Sequence, residues 1–351
     1  MRMRLGLAAL LLVGLAPPAR ADVTVTIDPG AGGRFASQAG VQLPQIQQQL
    51  RDELDKLFQT YRLKDYLRSF NDAQSFTTRG LGVDYGSTIG LVEVGIAANL
   101  AVNGNKAFVE GDGHTQPVAG VATNITAMAG LNLGFLGLRP VTLFGNYFTN
   151  KQSYQGFAVA LDNYGAHLQV KLFTPRKETL WNAFLQWGGI AVTSGFDHAR
   201  MRLSLGGTFS RGFPVNNGGR EVARIAVDST GEFAMESRSW SIPLELTTNF
   251  RFLYVLSAYG GVGFDFQIKG SSDLAANVTG KLTGTTPASS TPVDLGKATV
   301  TATEDATPSP AQFRGMVGLQ ANVWFVKLFT QVNVEPHPFF VTLAGGVRLV
   351  F

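Results

Sequence analysis

The chain has 351 residues, with no cysteine, 41 glycines, 25 phenylalanines and only 15% charged residues. The lack of cysteine excludes a disulfide framework and a lipid anchor carried on an amino-terminal cysteine. The formal net charge of +4 includes Arg2, Arg4 and Arg20, and falls to +1 without them, so a nucleic-acid partner is disfavoured.

Those arginines belong to a predicted secretory signal peptide, residues 1–21. Met-Arg-Met-Arg opens it, an apolar run from Leu5 to Ala16 forms its core, and Ala19-Arg20-Ala21 is a small-x-small cleavage pattern. The run is too short to span a bilayer as a helix, and no later apolar run reaches about twenty residues. Residues 22–42 are polar and glycine-rich and read as a flexible lead-in.

An amphipathic helical segment is expected over residues 43–76. Ile46, Leu50, Leu54, Leu57, Phe58, Tyr61 and Leu67 recur at steps of three and four, and Pro44 suits a first helical turn. The apolar face needs a partner. The barrel lumen (as a plug), the periplasmic rim and the membrane interface are the three choices. Its polar face mixes Asp52, Glu53, Asp55, Lys56, Lys64 and Asp65, whereas interfacial helices are richer in Lys and Arg, which favours plug or rim.

From about Thr88 the period becomes two. Val92, Val94, Ile96, Ala98 and Leu100 share one face, with Glu93 and Asn99 opposite. The same alternation recurs over residues 119–135, 201–209, 254–268 and 313–325. In the last thirteen residues, Phe339, Val341, Leu343, Gly345, Val347, Leu349 and Phe351 form an apolar face, with Arg348 on the other. Strands of roughly ten residues are the length of tilted membrane strands. Residues 77–351 are therefore expected to form an all-β, antiparallel transmembrane β-barrel of about twelve strands, within a range of ten to fourteen.

Short aromatic turns near Gly137, within Asn249–Leu256 and within Asn322–Phe329 are assigned to the periplasmic side. Phe135, Phe250, Phe252, Tyr254, Trp324 and Phe325 would be their girdle. Parity then makes Asn103–Pro117, the Thr-, Ser- and Pro-rich 270–310 segment and Glu335–Pro338 external. The 270–310 segment reads as a long solvated loop with room for a hairpin. At Asp162-Asn163-Tyr164-Gly165 the apolar phase flips, as at a bulge or a turn. Arg211–Ser239 is too polar for a strand pattern to stand out.

Chemistry is sparse. His114, His167, His198 and His337 lack metal-ligand spacing, and Glu110-Gly-Asp-Gly-His114 reads as a solvated turn before a cation site. A rim hydrolase would need a serine–histidine pair, but nothing singles out a nucleophile for His167, so no enzyme, metal or cofactor is expected. The alternation instead aims Glu93, Arg200, Arg202, Glu245, Asp265, Arg314 and Arg348 inward, since arginine facing lipid at mid-depth costs roughly 2–4 kcal/mol. Two uses are open: pairing across a filled lumen, or setting a transverse field at a constriction. The phenylalanines are core or lipid-facing surface.

The signal peptide, long alternating strands, aromatic turns and terminal Phe351 together resemble Gram-negative outer-membrane β-barrels. The resemblance implies residence in outer-membrane lipid and a barrel assembly machinery that reads Phe351 as its signal. The order helix, Arg79-Gly-Leu-Gly-Val-Asp-Tyr85, then glycine-rich strands is similar to surface-protein families of spirochaetes and myxobacteria, some described as adhesins; no functional residue is carried over. The expected function is a passive channel for small solutes narrowed by the helix. The alternative is a surface binding protein or adhesin for an extracellular ligand.

Overall fold

The computed structural model describes the chain from Thr24 onward, except residues 61–62, 87–89, 105–118, 139, 175–183, 287–288 and 337–338. The leader and the Glu110–His114 turn lie outside the described residues. Three helices are α1 (Pro29–Gln38), α2 (Leu43–Thr60) and α3 (Leu63–Phe76). The strands are β1 (Thr24–Thr26), β2 (Val92–Gly104), β3 (Ala119–Asn132), β4 (Val141–Tyr154), β5 (Phe157–Phe173) and β6 (Leu185–Asn217). They continue with β7 (Arg220–Phe252), β8 (Leu256–Thr286), β9 (Ser289–Ala306), β10 (Ala311–Val323), β11 (Val326–Glu335) and β12 (Phe339–Val350).

Among the described residues these strands form one 12-stranded sheet, but that count includes β1, which precedes the expected barrel; the ring itself has ten strands, the lower end of the expected ten to fourteen. The pairing of β7 with β8 closes ten of them into a ring, while among the described residues β9 neighbours β8 and β1, and β1 neighbours β9 alone. Two compact units result: residues 65–207, 232–273 and 306–351, and residues 1–64, 208–231 and 274–305.

The first unit is the transmembrane barrel. On β12, Phe340, Thr342, Ala344 and Arg348 are buried, while Phe339, Leu343, Val347 and Phe351 are exposed. Its register against β2 pairs Leu343 with Leu100 and Val347 with Ile96, so the apolar rows of neighbouring strands coincide. A water-exposed belt of this kind would be costly, because apolar area is worth roughly 25 cal/mol per Å² on leaving water. Lipid removes that cost. One rim carries tight aromatic turns: Trp324-Phe325 links β10 to β11, Leu253-Tyr254-Val255 links β7 to β8, and Gly137 at φ 82° ends the 3-10 turn after β3. Trp324 is 95% exposed there, as a girdle residue should be when no lipid is counted.

The phase flip at Asp162–Gly165 is neither a bulge nor a turn. β5 runs through it in unbroken register with β4, from Val141↔Val170 to Tyr154↔Phe157. Asn163, His167 and Gln169 are buried, so odd residues of β5 point inward and Leu161 and Val159 share their parity. What changes is the surroundings. Beyond Tyr164 the outer face meets water instead of lipid, and Asp162 replaces the apolar residues there.

The second unit corrects the reading of its amino-terminal residues and completes that of two polar stretches. Residues 22–42 are not wholly a flexible lead-in, because β1 pairs with β9 (Thr24↔Thr301) and α1 follows. The 270–310 segment does hold the hairpin for which it had room, but β8 and β9 take up most of it and little is left as loop, and the polar 211–239 stretch, unassigned from sequence, is strand in β6 and β7. The unit has its own core, in which Phe35, Ile46 and Leu50 of the helices meet Val215, Ile225, Leu282 and Leu295 of the strands. Gly284 admits the Phe35 ring, for a Cβ there would lie 2.4 Å from it.

Candidate functional site: the occupied barrel lumen

Every residue from Asn71 to Gly86 is buried. This run is the end of α3 and the non-regular segment after it, which begins with turns over 77–82, and it occupies the barrel lumen. The helical segment expected over 43–76 as plug or rim reaches this run only with its last residues, 71–76. Ile46 and Leu50 belong to the core of the other unit, and the side chains of Leu54, Leu57, Phe58 and Tyr61 lie outside the described residues.

α3 is seated by an apolar contact and a set of polar ones. Ala73 and Phe76 pack on Ala101, Ala122 and Phe340, with Phe76 and Phe340 ring centroids 5.3 Å apart. Asp72 accepts from the Ser309 amide and hydroxyl, each at 2.8 Å. Burial nevertheless pushes the Asp72 carboxyl up to about 6 from the ordinary 3.8, against the lowering effect of those two bonds.

The segment beyond α3 has no strand partner, so its backbone groups need other partners. Lumen-facing side chains supply them. Asn99 of β2 donates to the carbonyls of Thr77 and Arg79, both at 3.0 Å. Gln169 of β5 donates to Asp84 O at 3.3 Å, Asn249 of β7 to Tyr85 O at 2.9 Å, and Arg348 of β12 to Val83 O at 2.7 Å. Leu81, Val83 and Tyr85 fill the apolar spaces between these contacts.

Two ion-pair networks lock the segment. In one, Lys327 Nζ lies 2.7 Å from Asp84 and 3.2 Å from Glu93, and Arg348 reaches the same two carboxylates at 3.3 and 3.4 Å. Two cations meet two anions, and the Arg348 guanidinium also lies 3.7 Å from the Phe329 ring centroid. In the other, Arg79 contacts Asp197 at 2.5 Å and Asp265 at 3.0 Å, while Arg314 contacts Asp265 at 2.8 Å and also Glu245. Tyr85 donates to Glu245 at 2.6 Å, and His167 Nε2 lies 3.2 Å from Asp197. Each of these charges thus has an opposite charge at short range.

A sequence profile of the family described as Lsa36-like matches residues 18–351. The chain belongs to that family. A search of curated protein sequences returns no match. Among solved structures, the Lsa36-like chain is similar to the translocator domain of autotransporter NalP from Neisseria meningitidis, at 11% identity and TM-score 0.33, over 79% of this chain and 93% of that one. It is also similar to the Ralstonia pickettii toluene transporter TbuX, at 8% identity and TM-score 0.27, over 81% and 99%. A third is the attachment invasion locus protein Ail of Yersinia pestis, at 10% identity and TM-score 0.21, over 75% and 100%.

Of the lumen residues expected in this Lsa36-like chain, Glu93, Glu245, Asp265, Arg314 and Arg348 are buried there together. Arg200 and Arg202 are not. They pair across the sheet with Asp162 and Ala160, on the outward parity, and Arg200 binds Glu236 at 2.9 Å. The alternation over 201–209 placed Arg200 and Arg202 inward, yet it is Met201 that is buried, following Asp197 and Ala199 inward. As on β5, the alternation inverts where lipid ends.

Sequence reasoning missed Arg79, Asp84, Asp197 and Lys327. Lys327 had a visible signal: Lys327, Gln331, Asn333 and Glu335 alternate with apolar residues on β11. Arg79 and Asp84 stand in the Arg79–Tyr85 motif, but that segment has no period of its own and nothing in it pointed to a lumen contact.

Proposed function

We propose that this protein is a surface binding protein of the outer membrane, in which a barrel sealed by its own chain serves as the anchor. The observation that carries this reading is the unbroken burial of Asn71–Gly86. A passive channel needs an open path, whereas here the polar lumen groups are engaged by the segment. Placement in the outer membrane is supported by the closed ring of strands, the apolar belt and the export signal read from residues 1–21. On this reading the ligand is extracellular, and its partners also include outer-membrane lipid and the assembly machinery.

The channel reading, first in order from sequence, is second here. What favours it is that the occluding element is a single segment held by non-covalent contacts, which leaves it displaceable. Planar-bilayer recording of the refolded full chain, after its folding has been checked by the heat-dependent gel shift, separates the two. A silent bilayer fits the sealed anchor. Steady openings at moderate voltage would overturn it in favour of a solute channel.

A further inference from the structure

The outer surface of the barrel carries a cleft that the lumen does not explain. It encloses about 300 Å³ over β4, β5 and β6 and is lined by Lys151, Ser153, Ala158, Ala160, Arg202 and Ser204, among others. Lys151 stands opposite Ala160, which stands opposite Arg202, so the two cations flank a floor of small residues. This row points outward: it has the parity of Tyr147 and Tyr164, which are exposed, and not that of buried Phe144 and Asn163.

The depth of the cleft is set by its neighbours. Tyr164, Phe196, His198 and Trp240 form an outward aromatic cluster, with centroid distances of 4.2 to 6.3 Å. Such clusters mark the edge of the hydrocarbon. Lys151 is four residues past Tyr147, about 13 Å along a strand and roughly 10 Å along the normal once tilt is included. That is the level of the polar headgroups and their outer edge.

Charge sorts the ligand. In the row just below, Glu236 binds Arg200 and Arg238, and Thr149 donates to Asp162 at 2.5 Å. Lys151 and Arg202 make no ion pair among the described residues, and no acid lines the cleft. Two cations unpaired among the described residues, one a planar fork, with two hydroxyls beside them at headgroup level on the outward face, suit a tetrahedral anion. We propose that this cleft binds the phosphate of a membrane-lipid headgroup.

The test uses the full chain folded in a neutral detergent, titrated calorimetrically with phosphatidic acid in the micelles and with inorganic phosphate alone. Saturable binding of phosphatidic acid is expected, and it should weaken at least about tenfold in K151A/R202A. R251A/K269A removes the same charge elsewhere and should bind as the wild type does. Equal affinity in K151A/R202A, or an equal loss in R251A/K269A, would overturn the proposal. Inorganic phosphate binding as tightly as the lipid would also overturn it, by making the cleft a free-anion site. Lys151, Arg202 and Lys269 are exposed and Arg251 is half-buried, and the heat-dependent gel shift reports whether each variant has folded.

Discussion

Arg79, in the segment that fills the lumen, holds Asp197 of β6 at 2.5 Å, and both side chains are almost wholly removed from solvent. The contact joins residues far apart in sequence across the barrel interior, and the same guanidinium also reaches Asp265 and Ser241. Replacing Arg79 with Ala leaves two buried carboxylates short of a cation. Removing one partner of a buried pair typically costs about 3–5 kcal/mol. R79A is therefore expected to lower the temperature at which the folded band is lost in the heat-dependent gel shift. An unchanged temperature would mean that the segment does not brace the wall.

The seat of α3 is tightest at Gly120 on β3. A Cβ added there would lie 2.2 Å from the Ser69 carbonyl oxygen, which is backbone and cannot swing aside. G120V should push α3 outward, at a cost of about 1–3 kcal/mol for forced overpacking. Hydrogen exchange is the measurement. Faster exchange confined to α3 and the segment after it is expected, with β2 and β12 protected as before; uniform protection would sink the idea.

How much of this was legible in the sequence depends on what each stretch is set against. Where lipid lies outside, as along β12, apolar and polar residues alternate cleanly and both faces were readable, Arg348 included. Where lipid ends, at Tyr164 and His198, the same period continues with its meaning reversed, and Arg200 and Arg202 were read inside out. The strands of the second unit have polar, Thr-rich faces and so looked like loop. The lumen segment was invisible because its order comes from Asn99, Gln169, Asn249 and Arg348 on four distant strands.

Asp72 gives the lumen segment a pH dependence with a definite sign. Its folded-state pKa of about 6 lies above the ordinary 3.8, so the folded protein holds this proton more tightly than the unfolded chain does. The stabilisation is complete below the unfolded value and is lost as pH rises through the folded one. Between pH 4 and 6 the wild type should therefore lose stability, relative to D72N, as pH rises. The difference in unfolding midpoint between wild type and D72N checks this, since the other carboxylates are common to both. A flat difference would show that Asp72 is ionised throughout.

Phe351 separates folding from delivery. Its backbone closes the ring, accepting from the Leu91 and Val92 amides at 2.7 and 3.1 Å and donating to Val92 O at 2.8 Å. Its side chain, by contrast, is 67% exposed on the outward face. F351A keeps every one of those backbone bonds, so the variant refolded in detergent should unfold close to the wild-type temperature. In cells, an assembly machinery that reads the terminal aromatic ring would insert it less well, and several-fold less folded barrel in the membrane fraction is expected. Equal amounts in the membrane would remove Phe351 as an assembly signal. Equal losses in cells and in detergent would instead make it a structural residue, needed because the ring closes at this end of β12.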